Sequence, residues 1–254
     1  MNSFKETIVA VVVGSNRGIG LALVQQLLTD SSVDIVYAGC RTISAAQGLN
    51  DAVKTYGDRL IPVSVDLTSA ESVDAFRGFL EFEGAQPNLV INCAGILHNQ
   101  DVKPEKRLED IEIGSLRKYF DTNAIGPVLL AKALKNILPT RRRVVLGNLS
   151  AKLGSVGDNK LGGWYGYRAS KTALNMFTRN IAIELGRRNK ELVCVGLHPG
   201  TVDTRLSRPF QRKETAQSLL LPETSAGLLL NVLDQLTPED SGGFFAYDGC
   251  RIPW

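Results

Sequence analysis

Cysteine pairs, histidine clusters and long apolar runs are all missing from this sequence, and each absence closes a class of function. The four cysteines, Cys40, Cys93, Cys194 and Cys250, stand far apart and form no C-x-x-C. Three of them lie at or near the ends of apolar strand candidates, where a reduced thiol behaves as a small hydrophobe. The two histidines, His98 and His198, have no paired spacing, so no metal site is expected. The chain does not open on a charged start followed by an apolar segment, and no apolar run is long enough for a bilayer. A cytoplasmic protein without a membrane span is therefore expected. A net charge of +3 is too small to argue for nucleic acid or an anionic membrane. The one basic run, Arg141-Arg142-Arg143, precedes an apolar strand and reads as a solvated turn. Linkers, repeats and low-complexity segments are absent too, and an apolar share of 44% with a charged share of 22% suits an ordinary globular core.

What is present is an alternation of strands and helices over the whole length. Ile8 to Val13 is a continuous β-branched run, the mark of a strand buried on both faces of a parallel sheet. Further strands are expected at Val33–Ala38, Leu60–Val65, Leu89–Asn92, Val144–Leu149, Leu192–Leu197 and Gly243–Tyr247. Helices are expected after the first strand, over 44–56, 69–83, 114–138 and 167–186, and from Pro222 onward. Pro127 should perturb the long fourth helix, and an asparagine just before it, Asn123, then has a backbone carbonyl to spare for water. Gln100 to Arg107 reads as a polar surface loop, and Arg205 to Gln217 as a mobile lid without a clear period. The pattern is that of one α/β domain over 1–254, a Rossmann-type doubly wound parallel sheet of seven strands in the order 3-2-1-4-5-6-7.

The turn after the first strand is Gly14-Ser15-Asn16-Arg17-Gly18-Ile19-Gly20, and an amphipathic helix follows. In that context glycines permit close backbone approach, and a helix N-terminus attracts a pyrophosphate. The second strand lacks an acidic residue at its end, where one would bind ribose hydroxyls and repel a 2′-phosphate. Arg41 stands there instead, and with Arg17 it can clamp a phosphate, so NADP(H) is expected over NAD.

Between Ser150 and Lys171 the sequence places a serine, a tyrosine and a lysine one helical turn beyond the tyrosine. Tyr167 and Lys171, at i and i+4, share a helix face. A neighbouring ammonium favours the phenolate and should lower the tyrosine pKa. Such a pair can exchange a proton with an alcohol or carbonyl oxygen that a serine hydroxyl holds.

With these motifs placed, the chain resembles the short-chain dehydrogenase/reductase family over essentially its full length, and within it the C-factor and sniffer-type carbonyl reductases. The matching features are G-S-N-R-G-I-G, D-L at Asp66, N-C-A-G, Asn123, Ser150, Y-R-A-S-K and P-G-T-V-D-T, in the family's order. Val13 stands where the family usually has threonine, and Cys93 where it commonly has a second asparagine. The resemblance implies a catalytic tetrad of Asn123, Ser150, Tyr167 and Lys171. In it Tyr167 gives a proton to the carbonyl oxygen, Ser150 orients that oxygen, Lys171 also binds the nicotinamide ribose, and Asn123 holds a water that relays protons. It further implies that Asp66 and Leu67 lie against the adenine, that Asn92, Ala94 and Gly95 line the cofactor floor, and that Pro199, Gly200, Val202 and Thr204 cover the nicotinamide.

Leu97, His98, Leu153, Trp164, Leu206 and Phe210 fall on segments expected to ring the pocket, which suggests a mostly apolar carbonyl or alcohol as substrate. His198, at a strand end, is expected to be structural. The expected activity is reduction of an aldehyde, ketone or quinone. Alternatives are alcohol oxidation, or a signalling protein that binds NADP(H) with little turnover. In the family the long helices pair with their mates as a four-helix bundle, and this chain lacks the long insertion that monomeric carbonyl reductases carry before the tyrosine. A homodimer or homotetramer is expected.

Overall fold

The computed structural model describes residues 1–211 and 219–254. Seven strands, β1 (Ile8–Val13), β2 (Val33–Cys40), β3 (Leu60–Ser64), β4 (Leu89–Asn92), β5 (Val144–Leu149), β6 (Leu192–His198) and β7 (Phe244–Ala246), form one sheet in the order 3-2-1-4-5-6-7. Every neighbouring pair is parallel. Successive side chains of a strand point to opposite faces, and β1 feeds both sides. Ala10 and Val12 join the core on one face, and Val11 and Val13 the core on the other.

The first core is covered by α1 (Gly18–Thr29), α2 (Gln47–Tyr56) and α7 (Pro222–Gln235), through Leu23, Leu27, Leu49, Leu229 and Leu233. The second is covered by α3 (Ala70–Phe82), α5 (Gly126–Leu134) and α6 (Tyr165–Gly186), through Phe76, Leu80, Leu130, Leu134 and Leu185. Helices on both faces explain why the strands read as unbroken apolar runs.

The boundaries differ from expectation where tertiary contacts decide them. Two more residues of β2 pair with β3, Gly39 with Val63 and Cys40 with Ser64. The helix expected over 114–138 is instead α4 (Ile113–Phe120), a π-turn at Asp121–Ile125, and α5, which stops at Leu134. In the π-turn the Gly126 N–H bonds the Asp121 carbonyl, five residues back. Pro127 explains the widening. It has no N–H to give the Asn123 carbonyl four residues before it, and its ring would clash there in a regular helix.

Candidate active site

The chemistry-bearing residues meet at the carboxyl ends of the strands, where open α/β sheets hold ligands. Gly14, at φ +83, lets the chain leave β1 sharply, and a Cβ on it would sit 2.7 Å from the Ala94 backbone nitrogen. The Gly14 and Ser15 N–H groups both donate to the Gly39 carbonyl, and so does the Ser15 hydroxyl. The glycine loop is thereby fastened to the end of β2, two residues before Arg41. Arg17 and Arg41 are both exposed. Asn16 and Ile19 are half-buried, and Gly20 packs on Gly14. The first turn of α1 has no side-chain cap and no acidic residue, so its orphan N–H groups and dipole suit an anion such as a pyrophosphate.

From the far side, Thr204 reaches the loop. Its Cγ2 lies 3.4 Å from where a Gly18 Cβ would stand. Pro199 accepts a bond from the Ser225 hydroxyl, Gly200 turns at φ +81, and Val202 is buried in a bridge to Leu220. Asp66 and Leu67 follow β3. The Asp66 carboxylate caps its own turn, accepting from the Thr68 N–H and hydroxyl, while Leu67 is buried under Gly126, the first residue of α5. Asn92 accepts from the Ala94 N–H, and its own Nδ2 is buried without a partner among the described residues.

The four residues of the resemblance are all buried: Asn123, Ser150, Tyr167 and Lys171. Asn123 pairs with Ile96 in both directions, accepting its N–H at 2.7 Å and donating to its carbonyl at 2.9 Å. The same amide also donates to Ser170 Oγ at 3.0 Å, and Ser170 donates to the Tyr167 carbonyl. Gly95 lies close by, for a Cβ there would come within 3.4 Å of Asn123 Oδ1 and 3.5 Å of Lys171 Nζ. Ser150 continues directly from β5, and its hydroxyl donates to Asn175 Oδ1 at 2.6 Å.

Lys171 Nζ donates to the Leu149 carbonyl at 2.8 Å and stands 5.9 Å from the centre of the Tyr167 ring. Burial pushes its pKa down from 10.5 to about 8, opposed by the neighbouring Cys93, whose thiol burial pushes up to about 12. Burial also raises the pKa of Tyr167, the reverse of what the lysine spacing alone suggests. The ammonium is directed at a backbone carbonyl, and desolvation of the phenolate prevails.

Apolar and aromatic groups cover this site. Leu97, Tyr119, Ala151 and Tyr167 form a buried cluster against which Leu153, Trp164 and Phe210 pack. Trp164 meets Tyr167 and Phe210 edge-on, with ring centres 6.2 and 4.8 Å apart. His98 meets Phe210 at 5.4 Å and donates from Nε2 to the Arg205 carbonyl. Leu206 is 38% exposed. In the expected lid, residues 205–211 form a turn and a 3₁₀ segment at Arg208–Phe210; 212–217 lie outside the described residues. His198 is mostly buried, its Nδ1 has no partner among the described residues, and burial lowers its pKa to about 4.

Sequence reasoning missed four supports. Asn175 was legible as the next step, i+4, along the face of Tyr167 and Lys171. Ser170 carried no signal beyond lying between them. Tyr119, fully buried, donates to the Leu97 carbonyl. Glu105 corrects the reading of 100–107 as a surface loop. The segment is irregular, but Val102 and Glu105 are buried in it.

A family model described as short chain dehydrogenase matches residues 8–215. A curated relative, 1-hydroxy-2-glutathionyl-2-methyl-3-butene dehydrogenase of Rhodococcus sp. (strain AD45), is 31% identical over 96% of this chain and 98% of its own. The carbonyl reductase Sniffer of D. melanogaster superposes with a TM-score of 0.84 at 28% identity, over 98% of this chain and 100% of that one. An NADPH-bound carbonyl reductase from chicken fatty liver does so with a TM-score of 0.85 at 29% identity, over the same shares.

Proposed function

The chain belongs to the short-chain dehydrogenase family, and from that premise we propose that it is an NADPH-dependent reductase of small to medium, mostly apolar aldehydes, ketones or quinones. One observation carries the reading: Ser150, Tyr167 and Lys171 converge at the end of β5, with Asn123 tied in beside them, beneath an apolar and aromatic cover. NADPH, when bound, supplies a hydride to the carbonyl carbon. Tyr167 gives the proton to the carbonyl oxygen: burial keeps the phenol in the protonated form a donor needs, and the alkoxide that hydride addition creates, far more basic than a phenolate, draws that proton off. Ser150 swings its proton from Asn175 to the same oxygen and holds it. Lys171, with a pKa of about 8, keeps a proton at neutral pH that can replace the one Tyr167 gives away. Arg17 and Arg41 take the 2′-phosphate, and the amides of the glycine loop and of the first turn of α1 take the pyrophosphate.

The NADPH-bound neighbour supports this cofactor. A relative named as a dehydrogenase keeps alcohol oxidation as a second reading. The reading includes a homodimer or homotetramer built on the long helices, supported by exposed Ile113, Ile125, Met176 and Ile183 along them.

The test is titration with NADPH and NADH, followed by NADPH oxidation over a panel of carbonyls, with Tyr167→Phe as control. Tighter NADPH binding and turnover that vanishes in the mutant are expected. Cofactor binding without turnover on any carbonyl or alcohol would sink the reading.

A further inference from the structure

Tyr167 lies in the first turn of α6, and helix ends hold their shape only as well as their orphan N–H groups are satisfied. Trp164, the residue before α6, has a left-handed φ of +52 and supplies no side-chain cap. The missing cap comes from a distant loop. Glu105, only 3% exposed, accepts the Gly166 N–H on Oε2 at 3.1 Å, and its backbone carbonyl accepts the Trp164 N–H. A buried carboxylate is costly unless it is bonded. Glu105 Oε1 has no partner among the described residues, so the Gly166 amide and the positive end of α6 are what hold this side chain there. The fit is close, since a Cβ on Gly166 would stand 2.9 Å from Oε1 and would overlap the Tyr119 ring. Tyr119 and Trp164 in turn bracket Tyr167, with ring centres 6.3 and 6.2 Å away.

We propose that Glu105 is a positioning residue that sets the place of the Tyr167 phenol by clamping the first turn of α6 through the Gly166 amide. The inference rests on the reading of Tyr167 as proton donor.

The experiment compares Glu105→Ala, Glu105→Gln and Glu105→Asp with the parent protein. It follows amide exchange of the 164–168 peptide, NADPH titration and steady-state reduction of a carbonyl that the parent turns over. Glu105→Ala should speed exchange in that peptide about tenfold or more, with peptides from β1 and β5 unchanged. Its kcat should fall about tenfold to a hundredfold, the range for a displaced catalytic group, while NADPH affinity stays within about twofold. Gln can still accept the amide and should restore both exchange and kcat to within about threefold. Aspartate keeps the charge but is one methylene short, so it should behave as alanine does, and it stands in if the alanine variant does not fold. Parent-like exchange in the alanine or aspartate variant would overturn the proposal. So would a kcat loss that tracks lost NADPH binding, or a glutamine variant as impaired as alanine. Exchange needs no turnover, so a parent inactive on every carbonyl would refute the functional reading and leave the exchange result to decide the clamp.

Discussion

Replacing Lys171 by methionine should make the protein more stable while abolishing its activity. Lys171 is 4% exposed, and burial has taken its pKa from 10.5 to about 8. Each pKa unit is about 1.4 kcal/mol, so the folded state carries roughly 3 kcal/mol of unfavourable charge burial at pH 7. Methionine removes that cost and nearly fills the volume, but it gives up the charged bond to the Leu149 carbonyl, worth about 2 kcal/mol. The net gain is about 1 kcal/mol, or roughly 2 to 4 °C in Tm for a chain of this size.

The pH dependence follows from the direction of the shift. Between pH 8 and 10.5 the unfolded lysine holds a proton that the folded one has lost, so the parent gains stability as pH rises through that window. The mutant has no such gain. Calorimetry at pH 7, 8, 9 and 10 should find the two Tm values converging and then crossing, with the mutant higher at pH 7 and the parent higher at pH 10. A mutant that melts below the parent at pH 7, or a Tm difference flat across the series, would refute the argument. Reduction by the mutant should be slower by about a hundredfold or more, as loss of a proton-transfer group commonly is.

Other substitutions probe the remaining parts. Arg41→Ala should weaken NADPH binding about tenfold to a hundredfold and leave NADH binding nearly unchanged, as loss of a charged phosphate contact does; equal loss for both cofactors in fluorescence titration would count against the clamp. His198→Gln should protect against acid, because below pH 6.5 the unfolded histidine takes a proton that the folded one, with a pKa of about 4, refuses. The parent should thus lose up to about 3 kcal/mol between pH 6.5 and 4 that the variant keeps, which acid-unfolding curves will read. Phe210→Ala strips an edge-on partner from both Trp164 and His98. It should raise KM for an apolar carbonyl about tenfold with kcat little changed, and a kcat effect alone would place Phe210 outside the pocket.

The sheet order, the glycine loop and the places of Ser150, Tyr167 and Lys171 were legible because each depends on local pattern. Continuous β-branched runs mark strands buried on both faces, and i, i+4 spacing marks a shared helix face. What stayed hidden depends on partners remote in sequence. Glu105 in a polar stretch looks solvated until the chain brings it to Gly166, 61 residues on. The sense of the Tyr167 shift was misjudged for a like reason. Spacing reports that a lysine is near, but not that its ammonium is spent on the Leu149 carbonyl while burial acts on the phenol.

The π-turn at Asp121–Ile125 gives the molecule an unusual grammar of insertion and deletion. A helix with one wide turn contains one residue more than a regular helix joining the same two ends. Removing one residue there, Thr122 for instance, would leave Ile113–Phe120 in phase with α6, on which it packs, and most of α5 in phase with the sheet it covers. An ordinary helical deletion would rotate everything beyond it by about 100°. The shortened chain should therefore keep its fold, at the cost of strain around Pro127, and lose the reciprocal pairing of Asn123 with Ile96. Length in this helix is thus divisible into a part that builds the layer and a single surplus residue that presents a side chain to the site.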